Sequence, residues 1–104
     1  MIKLIKRIFS MEPAFDYKQQ LKQGAVIIDV RTKQEYTSGH IAHAINIPVN
    51  ELADNLHRLP GKDVCIITCC ASGMRSGKAA GILKTHGYTN VHNGGGWNQL
   101  QNKL

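Results

Sequence analysis

From Val64 to His86 the chain runs without a break from an apolar segment, through two cysteines and a loop of small residues, into a helix-patterned stretch. The segment VCIIT (Val64–Thr68) is a short apolar run of the kind buried on both faces of a parallel sheet. Ser76–His86 places Ala79, Ala80, Ile82 and Leu83 on one helical stripe and ends at Gly87. The same alternation recurs on either side. Pro13 suits a first helical turn and Gly24 the position past a helix end, so a helix is predicted between them. AVIID (Ala25–Asp29) is a second buried-strand run, and Thr32 with Glu35 forms a capping-box pattern for a short helix ending near Gly39. AINIP (Ala44–Pro48) predicts a brief strand, and Asn50 caps a helix carrying Leu52, Leu56 and Leu59 up to Pro60-Gly61. A strand at Asn90–His92 and a last amphipathic turn with Trp97 and Leu100 follow. Strands alternating with helices define an α/β domain with a mostly parallel sheet.

A chain of 104 residues provides one core. Its 42% hydrophobic and 19% charged residues exclude a disordered tail or a collagen-like repeat. No apolar run reaches the ~20 residues of a membrane-spanning helix. Thirteen Lys and Arg against seven Asp and Glu give a formal charge of +6, but Lys3, Lys6 and Arg7 supply three of those charges. The remaining basic residues are scattered, which excludes a nucleic-acid face, while a mild positive field favours small anions. Ile2, Ile5, Ile8 and Phe9 oppose the basic residues on a helical wheel, so contact of Met1–Phe9 with a membrane surface is a weaker alternative to a basic extension, residues 1–11, packing on a domain of residues 12–104. The N-terminus lacks the uninterrupted apolar stretch and cleavage site of a secretory signal, and the expected location is the cytoplasm. Three cysteines within six residues are a poor disulfide framework. A zinc site is disfavoured too, because consecutive strand cysteines diverge and no second ligand pair appears.

Cys70 is the informative position. It stands at the carboxyl end of a central strand, where open α/β sheets place their ligand crevices. Ala71, Ser72, Gly73, Met74 and Arg75 can curl around its sulfur, and the helix that follows presents its free N–H groups and positive dipole end. Gly73 accepts the unusual dihedrals needed to turn N–H groups inward. With Arg75 nearby, the thiol pKa is expected in the ~3.5–7.5 range of activated cysteines. Such a thiolate is a nucleophile without a histidine base.

Four segments together resemble the single-domain rhodaneses (thiosulfate sulfurtransferases), in particular the short phage-shock type. They are IDVRTKQEY (Ile28–Tyr36), SGHIAHAINIP (Ser38–Pro48), VCIITCCASGMRSGKAAGIL (Val64–Leu83) and GYTNVHNGGGW (Gly87–Trp97), in the family's order and over about two-thirds of the chain. The resemblance implies a rhodanese-like sheet of about five strands flanked by helices on both faces. It implies that Cys70 takes a sulfur atom from a small anionic donor such as thiosulfate, becomes a persulfide, and passes the sulfur to cyanide or a thiol, with no cofactor and no metal. The donor or acceptor could also be a protein. Backbone N–H groups from Ala71 to Ser76 would stabilise the persulfide as an oxyanion hole does. Arg75 would contact the donor or, as we favour, brace the loop through Glu35 or Asp29. Asp29, Arg31 and Glu35 match structural positions of the family, and His40 matches its Gly-His-Ile turn. Two departures are His43, where the family commonly has glycine, and Cys69, where an aromatic residue is frequent. Histidine tolerates positive φ at mild cost. Strand alternation should turn Cys69 into the core and Cys70 towards the crevice.

Two other functions compete. One is a persulfide relay fed by a partner protein. The other is a phosphatase or arsenate reductase, but the family of phosphatases with a related fold places five residues between cysteine and arginine, and this chain has four.

Overall fold

The computed structural model describes residues 15–104. The basic extension, residues 1–11, and Pro13 therefore lie outside the described residues. Helix α1 (Tyr17–Lys22) is capped by Asp16, whose carboxylate accepts the Gln19 N–H at 3.0 Å. Strand β1 (Val26–Asp29) follows, then α2 (Lys33–Ser38), β2 (Ile45–Asn46), a 3₁₀ segment (Val49–Arg58), β3 (Ile66–Cys70), α3 (Met74–Thr85), β4 (Val91–Gly96) and α4 (Trp97–Gln101). The four strands form one parallel sheet in the order β2-β1-β3-β4. This is the expected rhodanese-type α/β arrangement, with four strands among the described residues where about five were anticipated.

Each strand of the centre feeds two cores, because successive side chains leave opposite faces. On one face Ile28, Val30, Ile66 and Cys70 pack with Leu52 and with Ala79, Ala80 and Leu83 of α3. On the other Ile27, Cys65, Ile67 and Cys69 pack with Leu100, and Tyr17, Leu21 and Trp97 close over them. Helices thus cover both faces. The fully buried isoleucines at 28, 66 and 67 contribute roughly 1.5–3 kcal/mol each relative to exposure.

Several boundaries differ from the sequence expectation. β3 begins and ends two residues later, because it aligns with β1 from Val26 opposite Ile66 to Asp29 opposite Cys69, while the Val64 N–H closes a turn onto the Gly61 carbonyl. Periodicity cannot locate such an end, since every residue of the run is apolar or nearly so. α3 starts at Met74 rather than Ser76. Arg75 and Ser76 are therefore first-turn helical residues rather than loop. The segment expected as a helix capped by Asn50 begins instead after Pro48, and Asn55 interrupts it at φ −124°, its side chain bonding the Glu51 carbonyl at 2.8 Å. That competition between side chain and backbone is why asparagine disfavours helix interiors. β4 extends through the glycines to Gly96, carried by pairing that glycine composition does not announce. The capping box forms as expected, with Thr32 and Glu35 each bonding the other's backbone. His43 adopts φ 69° in a turn closed by the Ala44 N–H on the Ile41 carbonyl.

Candidate active site

The carboxyl ends of β1, β3 and β4 and the N-terminus of α3 converge on Cys70. Its side chain is on the α3 face and almost wholly buried, whereas Cys69 sits in the opposite core. Gly73 caps α3 with φ 109°, a conformation glycine adopts without strain. That turn aims its N–H at Cys70 Sγ from 2.9 Å. A Cβ there would also stand 3.4 Å from Gly95 Cα, so β4 limits what this position can hold.

The two adjacent thiols ionise differently. Burial pushes Cys70 up, but hydrogen bonding to its ionised form, from the Ser76 hydroxyl when it turns to the sulfur and from the N–H groups of Ser76, Gly73 and Ser72, outweighs it, and the net shift is downward. Burial pushes Cys69 up to about 12, with the Asp29 carboxylate adding to the effect. Burial also raises Cys65. At neutral pH, Cys70 is the thiol whose surroundings favour the anion.

Of the two carboxylates through which Arg75 is expected to brace the loop, its guanidinium forks onto Glu35, Nη1 to Oε1 at 2.8 Å and Nη2 to Oε2 at 3.0 Å. Hydrogen bonds from Arg75 and from Thr32 hold the Glu35 carboxyl at about 2. The pair latches α2 to the first turn of α3. Met74, between the loop and this latch, is 84% exposed.

Asp29 does not meet Arg75. It is fully buried and receives Arg31 twice through Nε and once through Nη2, at 3.0, 3.2 and 2.7 Å. Arg31 also donates to the carbonyls of Gly39 and Glu35 and lies 4.7 Å over the Trp97 ring. This buried pair pins the end of β1 to α2 and α4 and is structural. His40 stacks on Tyr36 at 3.7 Å, and the Tyr36 hydroxyl donates to the Ala44 carbonyl at 2.6 Å.

The residue that sequence reasoning missed is Asn93, in β4. Its Oδ1 accepts the Ser76 hydroxyl at 2.6 Å and the Gly95 N–H at 2.9 Å, and its Nδ2 donates to the Gly73 carbonyl at 3.2 Å. β4 has one residue more than β3 between the pairs Thr68–Asn93 and Cys70–Gly96, and this bulge turns Gly95 back onto Asn93. The only sequence signal was its place immediately before Gly94-Gly95-Gly96.

The sequence model of the family described as "Rhodanese-like domain" matches residues 14–103. "Thiosulfate sulfurtransferase PspE" of Escherichia coli (strain K12) is 40% identical over 70 residues, covering 66% of this chain and 67% of that protein. A "tRNA uridine(34) hydroxylase" of Buchnera aphidicola subsp. Baizongia pistaciae (strain Bp) is 35% identical over 67% of this chain, which spans only 24% of that protein. Relatives of this domain thus carry different activities. Among solved structures, "rhodanese with anions from E. coli" superposes with a TM-score of 0.69 at 37% identity, over 72% of this chain and 89% of that one. A buried cysteine cradled at the end of a central parallel strand, a family match over nearly all the described residues and a superposable solved relative lead to one statement: this chain belongs to the rhodanese-like domain family.

Proposed function

We propose that this protein is a sulfurtransferase in which Cys70 carries the sulfur. The observation that carries the reading is the ring of donors from Ser72, Gly73 and Ser76 around a thiol that burial alone would keep protonated. The Cys70 thiolate attacks the outer sulfur of thiosulfate, the sulfur–sulfur bond of the donor breaks, and sulfite leaves with that bond's electron pair. Cys70 is left as an anionic persulfide, and total charge is unchanged. Cyanide or a thiolate then attacks the terminal sulfur, forming thiocyanate or a new persulfide and returning the Cys70 thiolate. The N–H groups at the α3 N-terminus favour the anion at each stage. Four residues between Cys70 and Arg75 make a cradle suited to one sulfur atom rather than a tetrahedral phosphoryl group, which weighs against phosphatase or arsenate-reductase chemistry.

The test is intact-protein mass spectrometry after incubation with thiosulfate in the absence of reductant, on wild type and Cys70→Ser. A gain of one sulfur atom, removed by cyanide and absent in the variant, is expected. No gain in wild type with free thiols would overturn thiosulfate as donor. The exposed Met74 beside the loop supports a second reading, a relay in which a partner protein delivers the sulfur to Cys70. Under that reading the same gain appears only with a protein persulfide donor.

A further inference from the structure

Ser76 is fully buried, and its hydroxyl has one proton and two neighbours able to take it. Cys70 Sγ lies 3.4 Å from Oγ, and Asn93 Oδ1 lies 2.6 Å from it. Backbone groups decide which end of the Asn93 amide faces Ser76. The Gly95 N–H requires an acceptor and the Gly73 carbonyl a donor, so Oδ1 faces Gly95 and Ser76 while Nδ2 faces Gly73. Gly77 makes room for this arrangement, because a Cβ there would stand 3.2 Å from Asn93 Nδ2.

With an acceptor on its far side, the Ser76 proton points at Asn93, and its oxygen accepts the Cys70 S–H. An ionised sulfur has no proton and needs one given to it. The hydroxyl can supply it only by rotating away from a short hydrogen bond. We propose that Asn93 is a positioning residue that sets how readily Cys70 ionises, by competing with the sulfur for the single proton of Ser76.

The charged and titratable groups around Cys70 leave this path separate. Arg75 of α3 is forked onto Glu35 of α2, Asp29 and Arg31 of β1 bond each other, Cys69 faces the opposite core, and His92 of β4 stacks on Phe15 away from the sulfur. Among the described residues none of them bonds the Ser76 hydroxyl or the Asn93 amide. The proposal rests on Cys70 acting as a thiolate but needs no sulfur donor, so it can fail while sulfur transfer stands.

The experiment is a pH titration of the Cys70 thiolate by its ultraviolet absorbance, with the matching Cys70→Ser protein subtracted from each variant. The set is wild type, Asn93→Ala, Ser76→Ala and the double variant. Asn93→Ala frees the Ser76 proton for the sulfur and is expected to lower the midpoint by about one pH unit, a tenfold gain in thiolate below it. In the Ser76→Ala background the same change should produce no lowering. A loosened loop would instead raise the midpoint, and equally in both backgrounds. An unchanged or raised midpoint in Asn93→Ala, or equal shifts in both backgrounds, overturns the proposal. Asn93→Asp keeps acceptors for Ser76 and Gly95 and should not lower the midpoint, so a lowering there overturns it as well, even should Asn93→Ala fail to fold.

Discussion

Replacing Glu35 and Arg75 singly and together separates bracing from substrate contact. The two side chains form a bidentate pair at 2.8 and 3.0 Å between elements 40 residues apart in the chain. Their side chains are 37% and 35% exposed, so solvent screens the pair and its coupling comes to about 1 kcal/mol, the upper end for exposed ion pairs. Gln at position 35 can still accept the Thr32 N–H, which preserves the capping box and leaves the lost ion pair as the main effect. Glu35→Gln and Arg75→Gln should each lower stability by about 1 kcal/mol, or roughly 4–8 °C in Tm for a domain of this size. The double variant should cost no more than either single one. Urea unfolding of the four proteins measures this, and steady-state sulfur transfer from thiosulfate provides the second axis. If Arg75 only braces, the two single variants slow transfer to the same extent. The Glu35 carboxyl sits near 2 in the folded protein against an ordinary 4.5, so the coupling is fully present above pH 4.5 and fades as pH falls towards 2. Additive stability losses, or transfer more than tenfold slower in Arg75→Gln than in Glu35→Gln, would refute bracing.

Two glycine substitutions should move stability in opposite directions under thermal unfolding. Gly81→Ala, in the α3 interior with open space at its Cβ, should stabilise by about 0.5–1 kcal/mol, whereas Gly94→Ala should destabilise by about 1–3 kcal/mol. At Gly94 the new carbon meets Ile67 Cγ2 and the Thr68 carbonyl at 2.9 Å, and the latter is backbone that cannot yield. Cys69→Ala should cost about 1 kcal/mol for the small void yet leave the thiosulfate-dependent gain of sulfur intact, because a thiol held near 12 in the opposite core takes no part. Loss of that gain would give Cys69 a direct role.

What could be read along the chain was what neighbouring residues encode together. Apolar runs marked the buried strands, Thr32 and Glu35 marked the start of α2, and Cys70 before a small-residue loop and a helix marked the nucleophile. These signals are local, because caps, periodicity and tight turns are settled within a few residues. The ends of β3 and β4 were not legible, since an apolar or glycine-rich run has no internal mark and the pairing register alone decides where it stops. Nor were the partners. Asp29 and Glu35 were equal candidates for Arg75 until the sheet placed Arg31 on Asp29, leaving Glu35 for the fork. Asn93, 17 residues from Ser76, reaches its hydroxyl because the β4 bulge and the Gly73 turn bring both to the mouth of the same crevice. The sequence alone determined an α/β domain with Cys70 at a strand end. Only the tertiary structure decided which groups surround that sulfur, because register and bulge, not chain proximity, set those distances.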